Sequence, residues 1–318
     1  MSAFTLALSL HSRAGEPLRN FFIRRFFRIA PLYYTALAYY LWQDGLGPRY
    51  WLGEAPRVTV ANIISTVLFV NGVHPQWLNS TVPGGWSIAV EMTFYLLLPL
   101  LMAYATTVGR ACTLFFGTAA VAILSGNWLW LHGPFVDARL WGEFLNMYLP
   151  SQLPVFCIGL VLYHCVRNRE RGLAMPAAPL LWLSALVIID QHTTMRFPEH
   201  IGFAIGFACV GYCLSVRPTW ILVNRWTVFT GKLSFSLYLV HFAVLHFASR
   251  VFARPLVPIS TIDLVLKYLG VVCACSLVAY MTYRLIEIPG QVLGGAIIDH
   301  LDRWHSRALA IGATATDS

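Results

Sequence analysis

The sequence predicts an all-α protein built as a polytopic bundle of transmembrane helices, and three observations predict it. Of its 318 residues 58% are hydrophobic and only 11% charged, whereas an ordinary soluble domain has about 45–50% and about 25%. The mean hydropathy is +0.64, and apolar runs recur along the whole chain. The formal charge of +8 is spread between those runs and forms no single basic face, which argues against a nucleic-acid partner. A disordered, collagen-like or disulfide-stapled protein is excluded on the same composition.

A helix needs about 20 apolar residues to cross a hydrocarbon core of about 30 Å. Residues 3–10 (AFTLALSL) are apolar but too short to cross, and they lack the basic flank of a signal peptide. They read as a surface anchor or as the latter part of a helix that begins upstream. Eight spans are expected in order: 26–42, 86–108, 111–131, 146–166, 177–190, 200–216, 226–248 and 262–285. The fifth is short and bordered by Pro176 and Pro179, so a tilted course is expected for it. Residues 58–73 make a ninth candidate, interrupted by Asn62, Ser65, Thr66 and Asn71.

Charge decides how the ninth is read, because loops rich in Lys and Arg stay in the cytoplasm. The loop with Arg13, Arg19, Arg24, Arg25 and Arg28 is the strongest such signal. If 58–73 does not cross, the loops alternate consistently, with 15 of the 22 basic residues and six acids inside, and seven of each outside. A full crossing would place Arg167, Arg169 and Arg171 outside. Residues 58–73 are therefore expected as a re-entrant or surface-lying segment, and the net charge encodes orientation.

One acid is left over, Glu91, inside a span and about 7–8 Å below the outer interface when counted from Trp86. His241, in GKLSFSLYLVH, lies about 10 Å deep when counted back from Ala248. Ionisable groups at depth are costly and mark functional sites. A carboxylate and an imidazole at one depth suit acid–base chemistry, while a pair of interhelical hydrogen bonds is the other reading. At the inner boundary Arg25 and Arg28 share one helical face. Guanidinium groups bind phosphate bidentately, and positive-inside anchoring is again the alternative. Arg284 and Glu287 are expected to pair at the end of the last span. The seven cysteines (Cys112, Cys157, Cys165, Cys209, Cys213, Cys273 and Cys275) lie in apolar runs with no CxxC pair and no His at ligand spacing. They read as packing residues, with no metal site. Gly202 and Gly206 have the GxxxG spacing of close helix contact.

RRFFRIAPLYY, GGWSIAVEMTFYLLLP, LPVFCIGLVLY, GKLSFSLYLVH and YRLIEIP occur in that order. In sequence and spacing they resemble the membrane acyltransferase 3 family, over residues 3 to about 290. The resemblance implies a multi-pass enzyme of the cell (inner) membrane. Such an enzyme moves an acyl group, commonly acetyl from acetyl-CoA, onto extracytoplasmic sugars, lipid-linked glycans or similar acceptors. It implies no permanently bound cofactor. It associates Arg25 and Arg28 with the phosphates of the acyl-CoA donor and the WSxxxE segment with the active site. Glu91 and His241 are thus the catalytic candidates, with Trp86, Ser87 and Tyr238 expected at the substrate. The family also places a basic residue and a histidine in a helix before the segment resembling SAFTLALSL. Residues 1–290 are accordingly expected to form an N-terminally incomplete membrane domain, and 291–318 a cytoplasmic tail, disordered from about Ala308. Two other readings stay open: a transporter of an anionic or acylated intermediate, and an inactive homologue.

Overall fold

The computed structural model describes residues 2–48, 57–133, 137–168, 199–254 and 260–316. Among these residues every regular element is helical. The chain divides into two compact units, one of residues 1–14 and 46–228, the other of residues 15–45 and 229–318.

The first unit holds α1 (Ser2–Ser12), α3 (Val60–Val67), a 3-10 turn (Asn71–Val73), α4 (Gly85–Tyr104), α5 (Val108–His132), α6 (Ala138–Met147), α7 (Leu149–Asn168) and α8 (Glu199–Val216). Each start has a local cause. Thr107 and Asp137 turn side-chain oxygens onto the first free N–H groups of α5 and α6, and Gly84 takes the left-handed conformation (φ 76°) that turns the chain into α4. Helix α7 is the hub. Phe115 of α5, Cys157 of α7 and Ile201 of α8 form one buried cluster, and Phe156 of α7 stacks on Phe94 of α4 at 4.0 Å. Helix α1 lies against α7 at Gly159, where a Cβ would come within 2.9 Å of the Ala3 Cβ. At one end Leu78, Trp141, Phe144, Leu145 and Tyr148 form a second cluster joined by Trp86 and Trp130.

The second unit holds α2 (Leu18–Asp44), α9 (Arg225–Val251), α10 (Ser260–Thr282), a π-helical turn (Tyr283–Glu287) and α11 (Ile288–Thr316). Gly290 and Gly294 let α11 meet α2 backbone to backbone. A Cβ at Gly290 would lie 2.8 Å from the Phe27 carbonyl oxygen, and one at Gly294 would lie 2.8 Å from the Phe27 Cβ. Arg19 and Asn20 of α2 then bind the Asp302 carboxylate of α11 at 2.6 and 3.1 Å, and the Tyr40 hydroxyl donates to the Leu239 carbonyl of α9 at 3.0 Å. Helix α11 continues to Thr316, past the point near Ala308 where composition suggested disorder.

Among the described residues six helices are long and apolar enough to cross a membrane: Gly85–Tyr104, Val108–His132, Ala138–Asn168, Glu199–Val216, Arg225–Val251 and Ser260–Trp304. They correspond to six of the eight expected spans. The expected 177–190 span lies outside the described residues. The expected 26–42 span lies in α2, which at 27 residues is long enough. Its arginines and tyrosines keep it below the apolarity of the six. Segment 58–73 contains only the eight-residue α3 and the 3-10 turn; eight residues rise about 12 Å, too little to cross.

Candidate active site

In the first unit the site residues sit on the opening turns of α4. Ser87 Oγ donates to the Gly84 carbonyl at 3.1 Å, which leaves its hydroxyl serving the helix start. Trp86 packs on the aromatic cluster of Trp141 and Phe144. Glu91 is half-buried, and its Oε1 accepts from the Ser2 hydroxyl of α1 at 2.9 Å. That contact ties the expected catalytic carboxylate to the short apolar segment that opens the chain. Sequence reading missed Ser2, because a hydrogen bond across 89 positions has no local pattern.

In the second unit the π-helical turn rearranges the charges. The Ile288 N–H reaches back to the Tyr283 carbonyl, one residue further than in an α-helix. The extra residue rotates Glu287 away from Arg284 and into the interior. Arg284 instead lies over the Tyr280 ring at 6.0 Å, while Glu287 is fully buried. Ser236 Oγ donates to Glu287 Oε2 at 3.0 Å, Gln291 Nε2 donates to Oε1 at 3.2 Å, and Arg28 Nη1 stands 3.7 Å from Oε1. The expected Arg284–Glu287 pair is therefore corrected to Arg28–Glu287. Ser236 and Gln291 were not singled out from the sequence, although Ser236 belongs to the SFSLYLVH run.

The two expected phosphate ligands are placed differently. Arg25 lies over the Phe21 ring at 5.6 Å, whereas Arg28 holds Glu287 and keeps 37% of its side chain exposed. Neighbouring Arg24 pairs with Glu16. On α9, His241 Nδ1 lies 2.7 Å from the Tyr238 carbonyl oxygen. A carbonyl only accepts, so Nδ1 carries the proton and Nε2 is the basic nitrogen. The Tyr238 ring stands 5.9 Å from the imidazole. Glu91 belongs to the first unit and His241 to the second. Among the described residues no group of three His, Cys, Asp or Glu side chains could hold a metal ion.

The acyltransferase domain model of the acyltransferase 3 family matches residues 1–284. The chain belongs to the acyltransferase 3 family. Glu91, His241, Arg25, Arg28, Trp86, Ser87 and Tyr238 all lie inside the matched residues, and Glu287 lies just beyond them. With six apolar helices of spanning length, this acyltransferase 3 protein is a multi-pass membrane protein with a transferase role. Neither curated proteins nor solved structures give a match to the chain.

Proposed function

We propose that the chain is an inner-membrane O-acyltransferase that moves an acyl group, most simply acetyl, from acyl-CoA to a hydroxyl of an extracytoplasmic carbohydrate or lipid-linked glycan. The observation that carries this reading is the family match, which takes in the candidate catalytic, donor-binding and substrate residues. Charge distribution supports the sidedness, since Arg25 and Arg28 lie on the first turns of α2, in the most basic stretch of the chain.

In this reading the donor's phosphates bind at Arg25 and Arg28. Glu287 is a positioning residue: by holding one Nη of Arg28 it fixes the guanidinium plane, and the remaining N–H groups stay available for phosphate oxygens. In the chemical step the acceptor hydroxyl oxygen bonds to the thioester carbonyl carbon. The C–S bond breaks, and the thiolate leaves with the acyl group's former electron pair. A base takes the hydroxyl proton and returns it to the thiolate sulfur. Glu91 and His241 Nε2 are the candidate groups for holding that proton; Trp86 and Ser87 in the first unit, and Tyr238 in the second, are the candidate substrate contacts.

Acetyl transfer to surface glycan, followed in cells carrying the chain and its variants at equal membrane abundance, tests the reading. Glu91→Gln keeps the Ser2 hydrogen bond but cannot accept a proton, so a loss of about 100-fold is expected. Arg28→Ala is expected to raise the KM for acetyl-CoA, as loss of a binding group does. Wild-type transfer in both variants would overturn these assignments.

A further inference from the structure

Helix α3 and the 3-10 turn after it are inside out. Their polar side chains are interior: Asn62 is 4% exposed, Thr66 0% and Asn71 2%. Their apolar side chains face outward, with Val60 70% exposed, Leu68 62% and Val73 65%. In a soluble protein that arrangement would leave an apolar patch against water, which monomers avoid at this density.

Most of the interior polar side-chain atoms are paired within residues 59–81, while Asn71 Oδ1 is buried without a partner. Thr59 and Asn62 form a capping box, Asn62 Nδ2 donates to the Gln76 carbonyl at 2.8 Å, and Thr66 shares a hydrogen bond with Thr81 at 2.6 Å. Asn71 Nδ2 donates to the Leu78 carbonyl at 3.1 Å. The end of α3 is closed in the same way: Val70 N–H bonds to the Ser65 carbonyl and Phe69 N–H to the Thr66 carbonyl. This is a Schellman turn with Phe69 (φ 58°) where glycine is usual. Side chains thus take over carbonyls that water would otherwise serve, the condition for irregular backbone at membrane depth.

Charge and continuity name the medium outside. From residue 58 to residue 90 the chain contains no Asp, Glu, Lys or Arg. The single histidine there, His74, is held below its ordinary pKa by burial and so stays neutral near pH 7. The segment leads directly into α4, a helix apolar enough to cross. Gly72 seats the 3-10 turn on the second turn of α4, where a Cβ would lie 3.4 Å from the Ala89 Cβ.

We infer that residues 58–73 form a re-entrant finger inserted among lipid acyl chains beside the N-terminal end of α4, with Val60, Ile64 and Leu68 as its lipid-facing side chains. This placement is independent of the reaction proposed above. Its physical basis is that the finger gains the burial of an amphipathic interfacial helix while the loop after it satisfies most of its polar groups.

Spin-label accessibility tests it on the full chain in phosphatidylcholine and phosphatidylglycerol vesicles. Nitroxides are placed at Val60→Cys, Ile64→Cys, Leu68→Cys and Thr66→Cys in a background with the native cysteines replaced. Labels at 60, 64 and 68 are expected to collide with oxygen in preference to an aqueous nickel chelate, and the label at 66 with neither. Nickel preference at 64 and 68 would place the face in water and overturn the inference. Low collision with both reagents there would mean a protein partner, such as a second copy, and would overturn it equally. If the cysteine-replaced protein does not fold, benzophenone at position 64 in the native background gives the same decision. Crosslinking to lipid supports the finger, and crosslinking to protein overturns it.

Discussion

Glu91 in the first unit and Glu287 in the second are two carboxylates held in opposite ways. Glu91 is half-buried, and the Ser2 hydroxyl is the partner that reaches it. Glu287 is wholly buried and receives Ser236, Gln291 and the charge of Arg28. A carboxylate fully committed to neighbours fixes geometry, whereas one with lone pairs to spare can take up a proton. The contrast gives Glu287 a structural role and leaves Glu91 open to the proton-holding role proposed for it.

The largest effect expected from breaking this contrast is at Glu287. Glu287→Ala should cost about 3 kcal/mol, the lower end for breaking a buried pair because Arg28 is partly exposed, and Glu287→Gln should cost clearly less, since its amide oxygen still accepts. Thermal unfolding in detergent checks both, and equal losses in the two variants would show that the charge rather than the hydrogen bonds carries the contribution. Next is the α2–α11 contact that surrounds this acid. Gly290→Leu should destabilise by about 2 kcal/mol through overpacking against Pro31 and Phe27, whereas leucine at Gly295, which faces open space, should be tolerated. Guanidinium-free thermal midpoints compare the two.

Smaller effects belong to the first unit. Phe69→Gly relieves a left-handed φ worth about 1 kcal/mol or more, set against the loss of a buried ring. Phe69→Asn, which tolerates that conformation, separates the two terms by its smaller cavity in the same unfolding measurement. The smallest effect is expected for Ser2→Ala, which removes one hydrogen bond to Glu91 at a cost of about 1 kcal/mol or less. A shift larger than that of Glu287→Ala would reverse the ranking of the two acids.

The six crossing helices were legible in the sequence because apolar length is additive along the chain and needs no partner. The failure of 58–73 to cross was legible too, from Asn62, Ser65, Thr66 and Asn71 and from the placement of the arginines. Those same polar residues proved to be the interior of a loop, which linear spacing does not show. The α2 span is not among the six, since its tyrosine hydroxyls and arginines lower its hydropathy below theirs.

Sequence by itself determined the helical membrane class, the orientation signal and the residue types at the site. Tertiary structure alone decided who meets whom. Arg284 lies near Glu287 in sequence, yet the π-helical turn carries Glu287 to Arg28 and Ser236. Gly290 and Gly294 lay in a stretch read as tail until α11 was found packed on α2. Hydrophobicity is a property of each residue, so a linear chain records it; a hydrogen bond or ion pair is a property of two, and only the fold sets the distance between them.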